Sequence, residues 1–159
     1  MNNYIERIAQ INSKLEKKSL FLFGPRQTGK SSYIKKQLTE PQLSWSLLDN
    51  ELYRDLSMRP SLLRNTLKAR KINEGVVVLD EIQRLPDLLN EVHMLIEETD
   101  IHFLLTGSSA RKLKKKGVNL LGGRASRLTF HPLVWPEIRE FNPSLDKILK
   151  SGLLPAAFT

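Results

Sequence analysis

Short apolar runs recur along the chain at intervals that suit strands separated by helices. The runs that predict strands cover residues 19–23, 45–48, 76–79, 101–105 and 126–130. Residues 76–79, which follow Gly75, are the clearest of them because they are mostly β-branched and apolar at every position. Strands that are apolar on both faces belong to parallel sheets with helices on both sides. The pattern therefore predicts an α/β fold with a mainly parallel, five-stranded sheet.

Helical patterns fill the intervals between these runs. Tyr4, Ile8, Ile11 and Leu15 lie on one stripe and predict an amphipathic helix at the start of the chain. Further helices are predicted over residues 30–38, over 54–71 with an interruption near Pro60, from Pro86 onward, and over 111–116. Residues 143–159 show no clear pattern.

The composition narrows the classes of function. The 159 residues suffice for one domain with a core. The absence of cysteine excludes disulfides, thiolate metal sites and cysteine nucleophiles. No apolar run approaches the ~18 residues that cross a bilayer. Because residues 1–12 are polar and lack the apolar centre of a secretory signal, we expect a cytoplasmic protein without a membrane span.

The chain is basic, with a net charge of +8 from 25 Lys and Arg against 17 Asp and Glu. Such a balance suits polyanions, including nucleotide phosphates and nucleic acid. One stretch, residues 111–127, is basic without any acidic residue. Its basic residues are Arg111, Lys112, Lys114, Lys115, Lys116, Arg124 and Arg127. The stretch is either a solvated surface or a functional patch.

Residues 24–31 read Gly-Pro-Arg-Gln-Thr-Gly-Lys-Ser and fit the pattern G-x-x-x-x-G-K-[ST] between a strand and a helix. Glycines let the backbone bring its N–H groups close to phosphates, and the helix adds its positive N-terminal dipole. Lys30 would reach the β- and γ-phosphates of ATP, and the Ser31 hydroxyl would bind Mg²⁺. The alternative is a Gly-Pro turn with an exposed lysine. The predicted nucleotide-binding residues are Gly24, Pro25, Arg26, Gln27, Thr28, Gly29, Lys30, Ser31 and Ser32.

The strand over residues 76–79 runs directly into Asp80 and Glu81. A buried parallel strand delivers its last residues to the carboxyl edge of the sheet, where ligands bind in open α/β folds. Asp80 would hold Mg²⁺, and Glu81 would polarise the water that attacks the γ-phosphate. Helix-capping or surface carboxylates are the alternative. Because the chain has this pair and no Asn/Thr-Lys-x-Asp element, we expect ATP rather than GTP.

Two later elements carry candidate catalytic residues. The fourth predicted strand is followed by Thr106 and Ser108, either of which could touch the γ-phosphate or orient the water. The alternative is a helix cap at Ser108 or Ser109. Arg124 follows a Gly-Gly turn, which suits an arginine that contacts transition-state charge within its own chain or from a neighbouring subunit. Its alternative role is that of a surface arginine.

Four ordered motifs together resemble a known family. They are GPRQTGKS (24–31), VLDEIQ (78–83), LTGSSA (105–110) and GR (123–124), with HPL (131–133) after them. The chain resembles the prokaryotic AAA-type ATPases that carry a GPRQ-x-GK phosphate loop, over about residues 19–141. The resemblance implies a three-layer P-loop fold in which the Thr106 strand lies between the strands of the phosphate loop and the acidic pair.

The resemblance also implies roles for individual residues. Asp80 and Glu81 correspond to the Walker B pair, and Thr106 and Ser108 to a sensor. Arg124 corresponds to an arginine finger, which would act on a partner subunit of a homo-oligomer.

Members of this family usually continue into a lid and a further C-terminal region, and we expect both to be missing from these 159 residues. We therefore divide the chain into an ATPase domain over residues 1–142 and the start of a connection over 143–159.

These patterns predict a domain that binds ATP and Mg²⁺ and hydrolyses ATP to drive or switch a conformational change in a larger protein. Glu81 would activate the water, while Lys30, Mg²⁺ and Arg124 would offset the developing charge. Three other classes stay open: an ATP-dependent nucleic-acid-binding protein, a small-molecule kinase, and a nucleotide-binding regulatory switch without significant hydrolysis. The acidic pair argues against the kinase.

Overall fold

The computed structural model describes residues 4–109, 113 and 121–158. The strands are β1 (Ser19–Phe23), β2 (Leu43–Ser46), β3 (Glu74–Asp80), β4 (Asp100–Gly107) and β5 (Ala125–Thr129). The helices are α1 (Asn12–Leu15), α2 (Lys30–Gln37), α3 (Asn50–Met58), α4 (Leu62–Ala69), α5 (Leu88–Glu98), α6 (Trp135–Ile138) and α7 (Leu145–Ser151). Short 3₁₀ turns cover Ile82–Arg84, Leu121–Gly123, Arg139–Phe141 and Pro155–Ala157. Apart from residue 113, the predicted helix over 111–116 lies outside the described residues.

The five strands form one parallel sheet in the order β2-β3-β4-β1-β5. The predicted α/β fold with a five-stranded parallel sheet is thereby confirmed, and β4 lies between β1 and β3 as the resemblance implied. Phe23 pairs in register with Gly107, and Ser46 pairs with Asp80. Because parallel strands all end at the same edge, the residues that follow β1, β3 and β4 are brought together there.

Helices cover both faces of the sheet, which gives the three layers. On one face, Phe21 and Leu105 pack in a buried cluster with apolar residues of α3, α4 and α5. On the other face, Leu20 and Leu104 pack with Tyr33 of α2 and with residues of α1. Alternate residues of one strand point to opposite faces, so a strand buried on both sides must be apolar throughout. All five residues of β1 are buried, and four of them are apolar. The fifth, Ser19, satisfies its hydroxyl oxygen by accepting from the N–H of Phe103 at 2.9 Å.

The start of the chain differs from its prediction. Helix α1 is a single turn, and residues 4–11 are not helical. The apolar residues of the predicted helix are also not buried together, since Ile11 and Leu15 are buried whereas Ile8 is 63% exposed. Tertiary contacts explain the difference: the backbone N–H of Ile8 donates to Oε1 of Glu137 at 2.9 Å, which holds this segment extended against α6. The prediction of an N-terminal amphipathic helix was wrong.

The second strand and the helix after it begin earlier than predicted. Strand β2 ends at Ser46, opposite Asp80, rather than running over residues 45–48. Helix α3 begins at Asn50 because the Asp49 carboxylate accepts hydrogen bonds from the N–H groups of Glu51 and Leu52, at 2.9 and 3.2 Å. An aspartate in this position satisfies N–H groups that have no partner within the helix.

Residues 133–158 pack against the start of the chain. Ile5, Leu133 and Ile138 form a small buried cluster to which Phe158 adds a partly buried ring. Helix α7 was not predicted, although Ser144 caps it by accepting from the N–H of Lys147 at 3.2 Å. The proposed division of the chain at residue 142 stays a prediction. Within the described residues, none of the helices has the length and apolar character needed to cross a bilayer.

Candidate functional site

Glycines shape both ends of the loop between β1 and α2, and the first of them is fixed by close backbone contacts. The N–H of Gly24 donates to the carbonyl of Gly107 at 3.2 Å. A Cβ atom on Gly24 would lie 2.1 Å from the carbonyl oxygen of Phe130, so no side chain fits at this position. Gly29 has a φ of 85°, which favours glycine, and it leads directly into α2. In the part of the chain that the structure describes, no side chain caps the start of α2, and the first N–H groups of a helix have no acceptor within it.

Arg7 supports this loop from the outer side. Its Nη1 donates to the carbonyl of Thr28 at 2.8 Å, and Thr28 is itself buried with its hydroxyl donating to the carbonyl of Pro25 at 2.9 Å. The Arg7 guanidinium also pairs with Glu137 at 3.0 Å, and the two side chains are only 6% and 2% exposed. A buried ion pair whose guanidinium also donates to backbone carbonyls is held in a single conformation. Sequence reasoning missed Arg7 because its contacts lie 21 and 130 positions away along the chain.

Lys30 places a positive charge in the wall of the site. Its Nζ donates to the carbonyls of Gly24 and Pro25 at 2.6 and 2.7 Å, and the residue is 9% exposed. Burial lowers the pKa of Lys30, while Glu81 and Asp80 raise it in opposition. An ammonium group has three N–H donors. Two of them are engaged by the loop itself, which leaves the third for an anion.

Asp80 is oriented by hydroxyl groups from both neighbouring strands. Thr106 on β4 donates to its Oδ1, and Ser46 on β2 donates to its Oδ2 at 3.3 Å. Thr106 is fully buried, and its Oγ1 also accepts from the N–H of Glu81 at 3.4 Å. The structure therefore places Thr106 behind the acidic pair, where it contacts Asp80 and Glu81. Ser46 was missed, since only the register of β2 against β3 reveals it.

Glu81 and Ser108 are joined through a third side chain. Glu81 has φ 60° and ψ 40°, a left-handed conformation that is uncommon for a residue with a Cβ. The side-chain amide of Gln83 donates to Oε2 of Glu81 and, at 3.3 Å, to Oγ of Ser108. Ser108 is thus linked to Glu81 through Gln83, and its sensor role stays a prediction. Sequence reasoning did not select Gln83.

A cavity of about 530 Å³ opens between the loop and the acidic pair. Its wall on the loop side is formed by Arg26, Gln27, Gly29, Lys30, Ser31 and Ser32, and its opposite wall by Leu48, Asp80 and Glu81. The other predicted loop residues, Gly24, Pro25 and Thr28, shape the loop from behind. The volume lies in the range of small-ligand sites, which is about 300–1,000 Å³. Cation, hydroxyl and carboxylate groups thus converge on one concave space.

Arg124 lies away from this cavity. It precedes Ala125, which pairs with Ser19 at the beginning of β1, so Arg124 is at the amino edge of the sheet. The loop follows the other end of β1, about 16 Å away at roughly 3.3 Å per residue. Arg124 is 39% exposed and pairs with Glu97, whose pKa it lowers through that hydrogen bond. Within its own chain, Arg124 therefore lies far from this cavity, and its role as an arginine finger stays a prediction.

Nine of the 17 residues in the basic stretch 111–127 lie outside the described residues. Of its seven basic side chains, the structure describes Arg124 and Arg127. The Arg127 guanidinium lies over the ring of Phe23, 5.6 Å from its centroid.

Comparisons with known proteins give one family and a set of similar folds. A family model described as "AAA domain" matches residues 16–139. Structures with a similar fold include the Aeropyrum pernix ORC1 protein in complex with DNA, with 19% identity over 87% of this chain and 49% of that one, at a TM-score of 0.50. Drosophila ORC bound to GC-rich DNA and Cdc6 matches with 12% identity over 87% and 59%, at a TM-score of 0.48. The chain spans about half the length of these chains, and no curated protein matches it.

The backbone at Glu81 can be tested by comparing two variants that both lack the carboxylate. We expect Glu81→Gly to be more stable than Glu81→Ala by about 0.5–1 kcal/mol. The left-handed conformation destabilises a residue with a Cβ by about 1–2 kcal/mol, and glycine avoids this cost. The larger chain entropy that glycine loses on folding offsets about half of that advantage. Urea unfolding measures the difference. At Asn65, an exposed position inside α4, the same two substitutions should give the opposite order by about 1 kcal/mol. Equal stability of the two Glu81 variants would contradict the assignment.

The burial of Lys30 predicts a pH dependence of stability in the protein without nucleotide. Because the folded pKa lies below 10.5, the unfolded chain binds more protons between the two values, and the free energy of unfolding should rise with pH in that window. Below the folded pKa, the ammonium is charged in both states and its desolvation cost is fully present. Urea unfolding at a series of alkaline pH values, with Lys30→Met as the variant that cannot titrate, isolates the effect. A wild-type-minus-variant difference that stays constant with pH would show that Lys30 is not desolvated.

Proposed function

This chain belongs to the AAA domain family, and we propose that it binds ATP with Mg²⁺ in the cavity between residues 24–31 and the acidic pair, and hydrolyses ATP to ADP and phosphate. The observation that carries the proposal is the buried Lys30 ammonium, which shares one cavity wall with Ser31 and faces Asp80 and Glu81 across it. A protein buries a charge of this kind when a partner compensates it. A polyphosphate between these groups would supply that compensation.

The phosphates would be held mainly by groups that the fold has already oriented. The N–H groups at the start of α2 present partial positive charge toward the cavity, which favours an anion there. Lys30 would add its third donor, since its other two are used by Gly24 and Pro25. Because these donors are fixed before binding, little side-chain order has to be imposed when the nucleotide arrives.

The residues present fit a magnesium ion. The Ser31 hydroxyl and the Asp80 carboxylate line the same cavity, and both are the hard oxygen donors that Mg²⁺ prefers beside substrate phosphates. Thr106 and Ser46 fix the orientation of Asp80, as outer partners of a metal ligand do. When bound, Mg²⁺ would neutralise charge on the β- and γ-phosphate oxygens.

Glu81 would act on the attacking water. Its carboxylate lines the cavity opposite the loop, where it can accept a hydrogen bond from a water aligned with the γ-phosphorus. The new bond joins the water oxygen to that phosphorus while one proton of the water passes to the Glu81 carboxylate, and the bond to the bridging oxygen breaks, so ADP leaves with the bonding electron pair. Lys30 would stabilise the negative charge that builds up during this exchange.

Arg124 could complete the site only in a homo-oligomer. Its exposure and its position at the opposite edge of the sheet support a role on a neighbouring copy.

Arg7 supports a second link, between nucleotide and conformational change, because it contacts both Thr28 of the loop and the carbonyls of His131 and Pro132. A shift of the loop on hydrolysis would thereby reach residues 131–138. These two roles extend the proposal from nucleotide binding to a switch within a larger protein.

ATP-dependent binding of nucleic acid is the second candidate, and the net charge of +8 favours it. The Aeropyrum pernix protein was solved with DNA, but at 19% identity the likeness speaks for the fold alone. This candidate requires affinity for DNA or RNA that falls by about 0.9 log units per log unit of salt for each phosphate neutralised. Binding that is absent or independent of salt removes it.

Two substitutions separate binding from hydrolysis. We expect Lys30→Ala to weaken ATP binding about 10- to 100-fold, because a charged hydrogen bond to the phosphates is lost. We expect Glu81→Gln to keep the ATP dissociation constant within about 3-fold and to lower kcat about 10²- to 10⁴-fold, the range of a lost general base. Calorimetric titration and phosphate release measure the two quantities.

The matched controls are Lys35→Ala on α2 and Glu98→Gln at the end of α5, both exposed side chains outside the cavity. Both controls should behave as wild type. Normal turnover in Glu81→Gln would show that another group activates the water. Product analysis that finds a phosphorylated small molecule in place of free phosphate would identify a kinase, and tight binding without turnover would identify a regulatory switch.

A further inference from the structure

Gln83 links the acidic pair to the end of β4. It lies in the 3₁₀ turn Ile82–Arg84, which the N–H of Arg84 closes onto the carbonyl of Glu81 at 2.9 Å. Its amide nitrogen donates both to Oε2 of Glu81 and to Oγ of Ser108. The nitrogen must face the carboxylate, because an amide oxygen in that position would repel it. Gln83 thereby connects Glu81, the residue proposed to activate the water, with Ser108, which directly follows β4.

Gly107 makes room for this amide. A Cβ atom on Gly107 would lie 2.1 Å from Oε1 of Gln83 and 3.2 Å from its Cδ. Gly107 has no left-handed backbone that would require glycine. The space it leaves is therefore the physical reason for a glycine at the end of β4. The amide of Gln83 fills that space.

Fold stability does not account for this arrangement. Oε1 of Gln83 is buried and has no hydrogen-bond partner among the described residues. Two residues earlier, Glu81 holds a left-handed conformation. A buried unpaired carbonyl and a strained backbone each lower the stability of the fold. Features of both kinds are found most often at functional sites. Their presence in one turn indicates that the turn is shaped for the position of the Glu81 carboxylate.

We propose that Gln83 is a positioning residue for hydrolysis. Its amide holds Oε2 of Glu81, so that Oε1 is presented to the attacking water, and Ser108 and Gly107 hold the amide in place. The proposal rests on the proposed function, because it assigns Gln83 a role in the reaction of that same site. Gln83 acts through Glu81 and makes no contact with the phosphates.

The first test separates turnover from binding and stability. In the full protein, Gln83→Leu keeps the volume of the side chain and removes its donors, so we expect kcat to fall about 10- to 100-fold while the ATP dissociation constant stays within about 3-fold. The midpoint of urea unfolding should stay the same or rise, because the unpaired carbonyl is removed. Gln37→Leu, on α2 and away from the cavity, is the control and should match wild type.

A double-mutant cycle tests the role of Gly107. Gly107→Ala should lower kcat by a factor similar to that of Gln83→Ala, because the added methyl group displaces the amide. The double variant should then lose no more than either single variant, since both changes remove one contact. Multiplied losses in the double variant would overturn the claim that Gly107 acts through Gln83.

A spectroscopic test needs no turnover. The side-chain amide signals of Gln83, assigned by their loss in Gln83→Leu in a spectrum of ¹⁵N-labelled protein, should move in Glu81→Ala and in Ser108→Ala. They should stay in place in Glu98→Ala. Signals that do not respond to Glu81→Ala would overturn the contact on which the proposal depends.

The outcomes distinguish the two proposals. If wild type hydrolyses ATP and Gln83→Leu hydrolyses it equally fast, the positioning role is overturned and the proposed function stands. If wild type binds ATP without any turnover, hydrolysis fails as the function, and the positioning role fails with it. A selective loss of kcat together with an amide signal that responds to Glu81→Ala supports both.

Discussion

The burial of one ammonium group organises this site. Lys30 is held against the carbonyls of Gly24 and Pro25, and the lysine is almost withdrawn from water. Such a charge needs compensation, which the two carboxylates across the cavity supply only in part, since burial still lowers the pKa of Lys30. The loop backbone fixes the position of that charge on one side of the cavity, and the hydroxyl groups of Thr106 and Ser46 fix the orientation of Asp80 on the other.

The order of the strands in the sheet positions the two walls of the cavity relative to each other. Because β4 lies between β1 and β3, a hydroxyl on β4 can orient the carboxylate on β3 while the end of β4 holds the loop after β1. Thr106 and Gly107 do these two things in consecutive positions. The buried Thr106 contacts Asp80 and Glu81, whereas its place near a strand end suggested a side chain that touches the γ-phosphate or orients the water. One strand thus couples the anion-binding loop to the acidic side of the cavity.

Much of this arrangement could be predicted from the sequence, where local patterns decide it. Apolar runs located the strands, with β2 shifted by two residues, and the spacing of Gly24, Gly29 and Lys30 located the loop. The remainder depends on contacts between distant residues, for which a single sequence carries no signal. Arg7 meets Glu137, Ser46 meets Asp80, and the extended start of the chain is fixed by α6 rather than by its own helical pattern.

The most direct test of the central claim is a crystal structure of the chain with ADP and Mg²⁺. We expect a β-phosphate oxygen within hydrogen-bond distance of Nζ of Lys30 and of the N–H groups that begin α2. We also expect Lys30 to keep its hydrogen bonds to the carbonyls of Gly24 and Pro25, and the Ser31 hydroxyl to bind the magnesium ion. A nucleotide bound elsewhere, or phosphates in this cavity with Lys30 turned away from them, would contradict the claim.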